Sequence, residues 1–334
     1  MKKSLGVFVC FLLVFAGCKN SLNVLAPYKD IPVIYGLLDQ NDSIHYIRVN
    51  KAFEGQGNAY TMAQQYDSVN YPVGTITVQL QEYSGGNLVN TDILDTTTAI
   101  PMDSGLFAYP HQVLYQTTAK LNPNDQYTLL VKNEKTGTVV KGSTSLLPDV
   151  TFSAPTGFMS TQVLPISFNI YYPTTKVQWG SNSSALLYQL TLRFYYTEID
   201  TAGKDTTLKY VDWVFASQEP PALETGDQME DDFTGSGFLQ FLKGSIPSAA
   251  GTNIKRIPGD VEVLFTSGTS DFYTYIELSQ PSLTVNQEKP FYSNLTNAVG
   301  IFSARHVQSV FKPLPASAID TLIQSSTVSS LNFQ

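Results

Sequence analysis

A strict alternation of apolar and polar side chains in the second half of the chain constrains the fold more than any other feature. Between residues 188 and 196 every second residue is Tyr, Leu or Phe, and the residues between them are Gln, Thr, Arg and Tyr. A shorter stretch of the same kind covers residues 76–81. A period of two is that of a β-strand with one buried face. The sequence therefore predicts strands packed face to face.

The composition supports the same fold class. The chain of 334 residues contains 19 Tyr and 19 Phe, and only 14% of its residues are charged. Aromatic residues and β-branched Thr and Val suit a pleated, half-buried surface. The length allows two domains of ordinary size. We therefore expect an all-β protein with two domains.

The first domain is expected to span residues 30–148 and to be a β-sandwich. Residues 121–131 have the spacing Leu-x-Pro-x-x-x-Tyr-x-Leu-x-Val. This spacing is typical of the tyrosine corner of Ig-like and fibronectin type III sandwiches, in which a Tyr at the head of a late strand bonds back to the preceding connection. The Ser-Gly-Gly-Asn segment at 84–87 predicts a tight hairpin turn. The sequence thus predicts an Ig-like first domain.

The second domain is expected to span residues 149–313 and to be a further antiparallel, sandwich-like β-domain. Strands are predicted at 261–265 and 272–278, and one short helix at 233–242, where three apolar side chains share a face. The last segment, 314–334, is rich in Ser and Thr, and we expect it to be loosely ordered.

The N-terminus has the pattern of a bacterial lipoprotein signal. Lys2 and Lys3 precede an apolar run over residues 5–15, and the small pair Ala16-Gly17 precedes Cys18. The run is shorter than the about 20 residues that a spanning helix needs. The alternatives are an ordinary signal peptide and a short membrane anchor. We expect cleavage of residues 1–17, lipidation of Cys18 by diacylglycerol and fatty acids such as palmitate, and a tether over residues 18–29.

The charge excludes some partners. Cleavage before Cys18 would remove two of the 20 basic residues and none of the 28 acidic ones, so the formal charge would change from −8 to −10. Nucleic-acid binding depends on clustered Lys and Arg, and we expect no nucleic-acid binding here.

The cysteines exclude further chemistry. With Cys10 removed and Cys18 lipidated, no thiol is left for a disulfide, a nucleophile or a metal site.

Several stretches resemble a family of Bacteroidota outer-membrane lipoproteins, domain-of-unknown-function family 4249. These stretches are residues 33–38 (VIYGLL), 46–53 (YIRVNKAF), 271–278 (DFYTYIEL), 291–294 (FYSN) and 300–304 (GIFSA). Members are often encoded beside TonB-dependent outer-membrane transporters. The resemblance therefore implies an accessory role at the outer membrane, with such a transporter as partner. It assigns no catalytic residues and leaves the membrane face open.

One acidic segment is a candidate calcium site. Asp227, Glu230 and Asp231 cluster beside a glycine, and Ca²⁺ takes about six to eight oxygen ligands. The spacing is not that of an EF-hand loop. The alternatives are a solvated acidic loop and a helix cap at Asp232.

A second candidate is a set of tyrosines in the irregular stretch 51–73, namely Tyr60, Tyr66 and Tyr71. Rigid aromatic rings bind sugar faces and protein partners alike. The alternative is that these rings hold the loop onto the sandwich.

No pattern predicts catalysis. The three histidines, His45, His111 and His306, lie far apart in sequence, and Zn²⁺ needs three or four convergent ligands. No Gly-x-Ser-x-Gly elbow is present.

We therefore expect a non-enzymatic, lipid-anchored accessory or binding component of an outer-membrane complex. A carbohydrate-binding lipoprotein is the alternative, and a glycosidase is the third reading, although no carboxylate pair stands out.

Overall fold

The protein is described by a computed structural model. The structure describes residues 29–55, 57–169, 171, 173–221, 226–279 and 291–334. Cys18, the predicted signal and most of the predicted tether lie outside the described residues.

The strands are β1 (Pro32–Leu38), β2 (His45–Lys51), β3 (Ile76–Ser84), β4 (Asn87–Ile93), β5 (Asp95–Thr97), β6 (Leu114–Thr117), β7 (Gln126–Asn133), β8 (Val139–Ser145), β9 (Phe152–Ala154), β10 (Thr174–Gly180), β11 (Ala185–Asp200), β12 (Asp205–Val214), β13 (Gln228–Thr234), β14 (Ile254–Thr269) and β15 (Val299–Lys312). The α-helices are α1 (Ala59–Ala63), α2 (Tyr66–Val69), α3 (Gly235–Ser245), α4 (Ser270–Ser279) and α5 (Ala316–Gln324), and a 3-10 helix covers Ser329–Leu331.

The strands form three sheets, and the predicted all-β class is confirmed. The largest sheet has eight strands in the order β12-β11-β14-β15-β1-β2-β6-β5. A four-stranded sheet, β4-β3-β7-β8, and a three-stranded sheet, β13-β10-β9, each face one part of it. Buried side chains fill the two spaces between the sheets. The described part of the chain is therefore sandwich-like in both halves.

The first core lies between the four-stranded sheet and the β1-β2-β6-β5 part of the large sheet. Ile76, Val78 and Leu80 are all buried, as the alternation predicts. The hairpin turn at 84–87 is also confirmed, since Gly85 and Gly86 have φ angles of 55° and 83°, which suit glycine.

The tyrosine corner is present. Tyr127 lies at the head of β7, and its hydroxyl accepts the backbone N–H of Asn122 at 2.6 Å. The same hydroxyl donates to Glu82 Oε1 at 2.8 Å. Tyr188 repeats the arrangement in the second half, because its hydroxyl accepts the backbone N–H of Asn182 at 2.7 Å.

The second core lies between the β12-β11-β14-β15 part of the large sheet, the three-stranded sheet and α3. The alternation over residues 188–196 buries the predicted face of β11. Phe265 is at its centre, with the ring of Trp179 edge-on at 4.9 Å and the ring of Phe152 edge-on at 4.9 Å. Such pairs add about 0.5–1.5 kcal/mol each to the burial of their area.

One strand joins the two cores. β15 pairs antiparallel with β14 through its second half and parallel with β1 through its first half. Phe302 and Ala304 of this strand are buried in the first core, together with Leu295. Leu146 is in the first core and Leu147 is in the second, but residues within 295–304 belong to the first core although they lie far along the chain.

In the second half, the predicted short helix is confirmed with shifted bounds, and one predicted strand is wrong. The helix predicted at 233–242 begins at Gly235, because Phe233 is still in β13 and Thr234 is the N-cap, whose Oγ1 accepts the N–H of Gly237 at 2.9 Å. Asp232 is therefore not the cap. The strand predicted at 272–278 is instead α4, since β14 ends at Thr269 and the chain then turns onto the outer face of the sheet.

The expectation of a loosely ordered tail is also wrong. Leu314, Ala318 and Leu322 are buried in the second core at a four-residue spacing, the spacing of one helix face. Phe333 is buried as well, and its ring lies 6.0 Å from that of Phe194. The Ser and Thr residues occupy the exposed face, so composition alone was misleading there.

Candidate functional site

A recess on the outer face of the large sheet has the form of a ligand site. We call it the β1–β2 recess, and it has a volume of about 480 Å³. Tyr35 of β1 lies directly opposite Arg48 of β2, and Val33 lies opposite Asn50. These side chains point away from the first core, because the residues between them in sequence point into it. The recess is lined by Val33, Tyr35, Arg48, Asn50, Lys51, Ala52, Phe53, Val69 and Phe107.

Arg48 is the charged centre of this recess. Its Nε donates to Asn50 Oδ1 at 2.5 Å and its Nη2 to Met102 Sδ at 3.4 Å. Burial lowers the pKa of Arg48, and the nearby Tyr35 opposes that shift. Burial, followed by the hydrogen bond and charge of Tyr275, raises the pKa of Tyr35 to about 12. A phenol and a guanidinium thus lie side by side in a partly desolvated setting.

Asn50 connects the recess to the segment that forms its wall. Its Nδ2 donates to the carbonyl of Val69 at 3.1 Å and to Asn70 Oδ1 at 2.7 Å. The irregular stretch predicted at 51–73 contains α1 and α2, and Val69 of α2 is buried. The segment is therefore held against β2 by a specific side chain.

The structure does not place the three predicted tyrosines on one surface. Tyr60 is 69% exposed on α1. Tyr66 is half-buried. Tyr71 is also half-buried, and its hydroxyl donates to Asp30 Oδ1 at 2.6 Å, so this ring holds the loop to the start of β1. Tyr71 and Asn70 also line a smaller recess of about 260 Å³.

The acidic residues predicted to bind calcium are not gathered either. Glu230 and Asp231 are neighbours in β13 and therefore point to opposite faces. Glu230 bonds Lys176 at 2.5 Å, and this contact, followed by Gln178, lowers the pKa of the Glu230 carboxyl. Burial raises the pKa of Asp231, and Asp227 precedes the strand. Within the described ranges, no group of three His, Cys, Asp or Glu side chains could hold a metal ion.

A second feature on the outer face was missed in the sequence. Tyr195 of β11 lies opposite Tyr210 of β12, and the ring of Tyr195 lies 5.7 Å both from that of Tyr210 and from that of Phe311. Three further exposed apolar residues belong to the same part of this face, namely Leu208 and Val214 of β12 and Ile257 of β14. We call these six residues the outer-face patch. The alternation showed that Tyr195 points away from the core, and only the strand register places Tyr210 beside it.

Charged side chains fix the rings of this patch. Arg193 binds Asp212 through two bonds, Nε–Oδ1 at 2.7 Å and Nη2–Oδ2 at 3.0 Å. Its guanidinium lies over the ring of Tyr210, 4.4 Å from the centroid. Tyr195 donates to Glu262 Oε2 at 2.9 Å. The surface is therefore preorganised rather than a loose collection of side chains.

His306 is a buried member of a polar cluster with Asp39, which is also buried, and Asp149, whose side chain is 74% exposed. Its Nδ1 is 3.2 Å from Asp39 Oδ1 and its Nε2 is 2.6 Å from Asp149 Oδ1. Burial alone would lower the pKa of His306, but the two carboxylates outweigh it and raise the pKa. This cluster joins the end of β1, the connection after residue 148 and β15. His45 is a buried residue of β2, with Nε2 3.2 Å from the carbonyl oxygen of Ala119.

None of the helices within the described ranges has the length and apolarity to cross a bilayer.

Comparison with known proteins gives no family. No protein-family model matches the chain, and no curated protein matches it. Among solved structures, the C-terminal globular domain of an oligosaccharyltransferase from Pyrococcus abyssi aligns with 63% of this chain at 9% identity and a TM-score of 0.18. The alignment covers 41% of that structure's own length. A likeness this weak carries no argument about fold or function.

Proposed function

We propose that the protein is a lipid-anchored component of the cell envelope, held at the outer membrane by Cys18, and that it acts as a non-enzymatic binding partner in an outer-membrane complex. A TonB-dependent transporter is the proposed partner. The signal pattern before Cys18 and the resemblance to family 4249 support the location and the kind of complex.

The outer-face patch is the observation that carries the binding role. Exposed apolar patches among polar residues often mark sites of interaction, and in this patch the Arg193–Asp212 ion pair lies between Tyr210 and Val214. Tyr and Phe are enriched in protein interfaces because they supply rigid contact area at a low entropic cost. Tyr210 is 54% exposed and Phe311 is 52% exposed, yet both are fixed by neighbouring rings or charges. A protein partner could bury them without ordering them first.

Photo-crosslinking in intact cells tests this proposal. A benzophenone amino acid at position 210 is expected to form one main adduct with an integral outer-membrane protein. The matched control is the same amino acid at position 88, where Leu88 is 52% exposed on β4 of the four-stranded sheet. The double variant Tyr210→Ser and Phe311→Ser is expected to lose the partner in co-purification while keeping its circular dichroism spectrum. An adduct pattern at 210 that equals the pattern at 88 contradicts the proposal.

Glycan binding is the second candidate, favoured by the exposure of Tyr60. The ring lies on α1, whose N-cap Asn58 accepts the N–H of Tyr60 at 2.9 Å, so its backbone position is fixed. Calorimetric titration with oligosaccharides separates the two functions. Binding that disappears in Tyr60→Ala and persists in Tyr66→Ala supports a sugar site at Tyr60, whereas heat changes equal to those of dilution exclude it.

A further inference from the structure

We propose that the β1–β2 recess binds a small organic carboxylate with an aromatic or apolar body. This surface is separate from the outer-face patch, and the proposal does not depend on the proposed complex.

The charge of the recess selects for an anion. Two of its lining residues, Arg48 and Lys51, are cationic, and none of its lining residues is acidic. The whole chain carries a net charge of −8, so a cationic recess is an exception to the general surface. Neither cation forms an ion pair within the part of the chain that the structure describes.

The setting of Arg48 calls for a counter-charge. Among the described residues only the neutral groups of Asn50 and Met102 accept from its guanidinium, which has five N–H donors. A partly desolvated charge without an opposite charge is costly, and a bound anion removes that cost. The planar fork of a guanidinium matches a carboxylate through two parallel hydrogen bonds.

The walls specify the rest of the ligand. Val33, Val69, Phe53 and Phe107 are apolar, and Phe107 is 42% exposed at the opening. The volume of about 480 Å³ falls in the range of about 300–1,000 Å³ that is usual for small-molecule sites. A strongly hydrated inorganic anion would leave these walls unused, whereas a carboxylate with an aromatic or alkyl body contacts both the walls and the guanidinium.

The recess is also preorganised. Asn50 Oδ1 holds Arg48 in place, and Asn50 itself is fixed by its bonds to Val69 and Asn70. A guanidinium that is already oriented loses little entropy when an anion binds.

Fluorine NMR of the purified full chain in a nonionic detergent tests the site. The probe is para-(trifluoromethyl)benzoate, and the neutral comparison is para-(trifluoromethyl)benzyl alcohol, with detergent micelles alone as the blank. Saturable line broadening is expected for the benzoate and not for the alcohol. Arg48→Met is expected to weaken benzoate binding by about 10-fold or more, because it removes a charge-assisted hydrogen bond.

Two further variants separate a loss of the binding site from a loss of folding or of surface charge. Arg305→Met removes an exposed arginine of the same sheet and is expected to leave binding unchanged. If Arg48→Met fails to fold, Phe107→Ser replaces an exposed wall residue, and about 10-fold weaker binding is expected. Benzoate binding that is not saturable, that the alcohol equals, or that survives both substitutions overturns the proposal.

Discussion

At the scale of single residues, polar side chains tie the strands to their connections. Tyr127 and Tyr188 each accept a backbone N–H from the segment that precedes their strand. Asn50 bonds the wall of the β1–β2 recess, and His306 bonds residues from two distant segments. These contacts explain why a chain without a free thiol after Cys18 can still fix long connections.

Tyr127→Phe tests the tyrosine corner. The substitution breaks the bonds of this buried hydroxyl to the N–H of Asn122 and to Glu82, and the loss of the two bonds together costs about 1–3 kcal/mol. We expect the free energy of unfolding in urea to fall by that amount. Tyr83→Phe, on the neighbouring strand β3, removes a half-buried hydroxyl that, among the described residues, bonds only Gln81, at 3.2 Å, and a change within about 0.5 kcal/mol is expected. Equal losses in the two variants contradict the corner's role.

The His306 cluster predicts a defined dependence of stability on pH. The pKa of His306 is raised above its ordinary value of 6.5, so its protonated form stabilises the fold below pH 6.5 and this contribution is lost as the pH rises through the raised value. Burial alone would raise the pKa of Asp39, but the hydrogen bonds from His306, Asn41 and Val307 outweigh it and lower the pKa. Its contribution is therefore present above 3.8 and lost as the pH falls through the lowered value. The His306–Asp39 pair should therefore stabilise the fold most between pH 3.8 and pH 6.5.

Melting temperatures of the wild-type protein and of His306→Gln, measured from acidic to alkaline pH, test this pH dependence of stability. His306→Gln is expected to cost about 3–5 kcal/mol near pH 5, because it leaves Asp39 buried without its partner. It should also remove the loss of stability on going to alkaline pH. His111→Gln changes an exposed histidine and should keep the wild-type profile. A wild-type profile in His306→Gln would show that the pair does not titrate with folding.

At the scale of elements, the parallel contact between β1 and β15 joins the two halves. It brings residues 33–38 beside residues 299–304, which are separated by most of the chain. Gly300 makes this approach possible, since its φ angle is 109° and a Cβ there would lie 2.0 Å from the backbone oxygen of Ile34. Backbone cannot move aside as a flexible side chain can.

Gly300→Ala is therefore expected to destabilise the protein by at least about 1–3 kcal/mol, which is the cost of a strained backbone position. The control is Gly244→Ala, at the end of α3, where a Cβ meets nothing within 4 Å. That variant should be neutral or slightly more stable, because alanine favours the helix. Chemical denaturation of both variants measures the difference, and a smaller loss at Gly300 than at Gly244 contradicts the close approach.

The sequence predicted the elements whose patterns are local and regular. The buried faces of β3 and β11, the hairpin at 84–87 and the corner at Tyr127 all follow from short-range spacing. It could not predict that β15 would pair with β1, because strand order depends on contacts between distant segments. The tail was misjudged because Ser and Thr hid the four-residue spacing of Leu314, Ala318 and Leu322.

The candidate sites were harder to predict for the same reason. Arg48 lies within residues 46–53, but nothing in the sequence of that segment shows that Tyr35 and Phe107 line the same recess as Arg48. To predict the outer-face patch, one needs the register of four strands, β11, β12, β14 and β15. The acidic residues near 230 looked like a cluster in sequence, but strand geometry places Glu230 and Asp231 on opposite faces.

At the scale of the whole molecule, the two surfaces that we propose for binding lie on the outer face of the large sheet of this β-rich body. The β1–β2 recess and the outer-face patch lie on that face, because residues 301 and 311 of the continuous strand β15 point the same way. Tyr35 lies opposite residue 301, and Phe311 belongs to the patch. A lipid anchor at Cys18 would hold this body beside a membrane partner.

Mass spectrometry of the N-terminal fragment from the native host tests the anchor most directly. We expect a mature chain that begins at Cys18 and carries a diacylglycerol on the thiol. A chain that begins at Met1, or a mature chain whose Cys18 carries no lipid, would contradict this expectation.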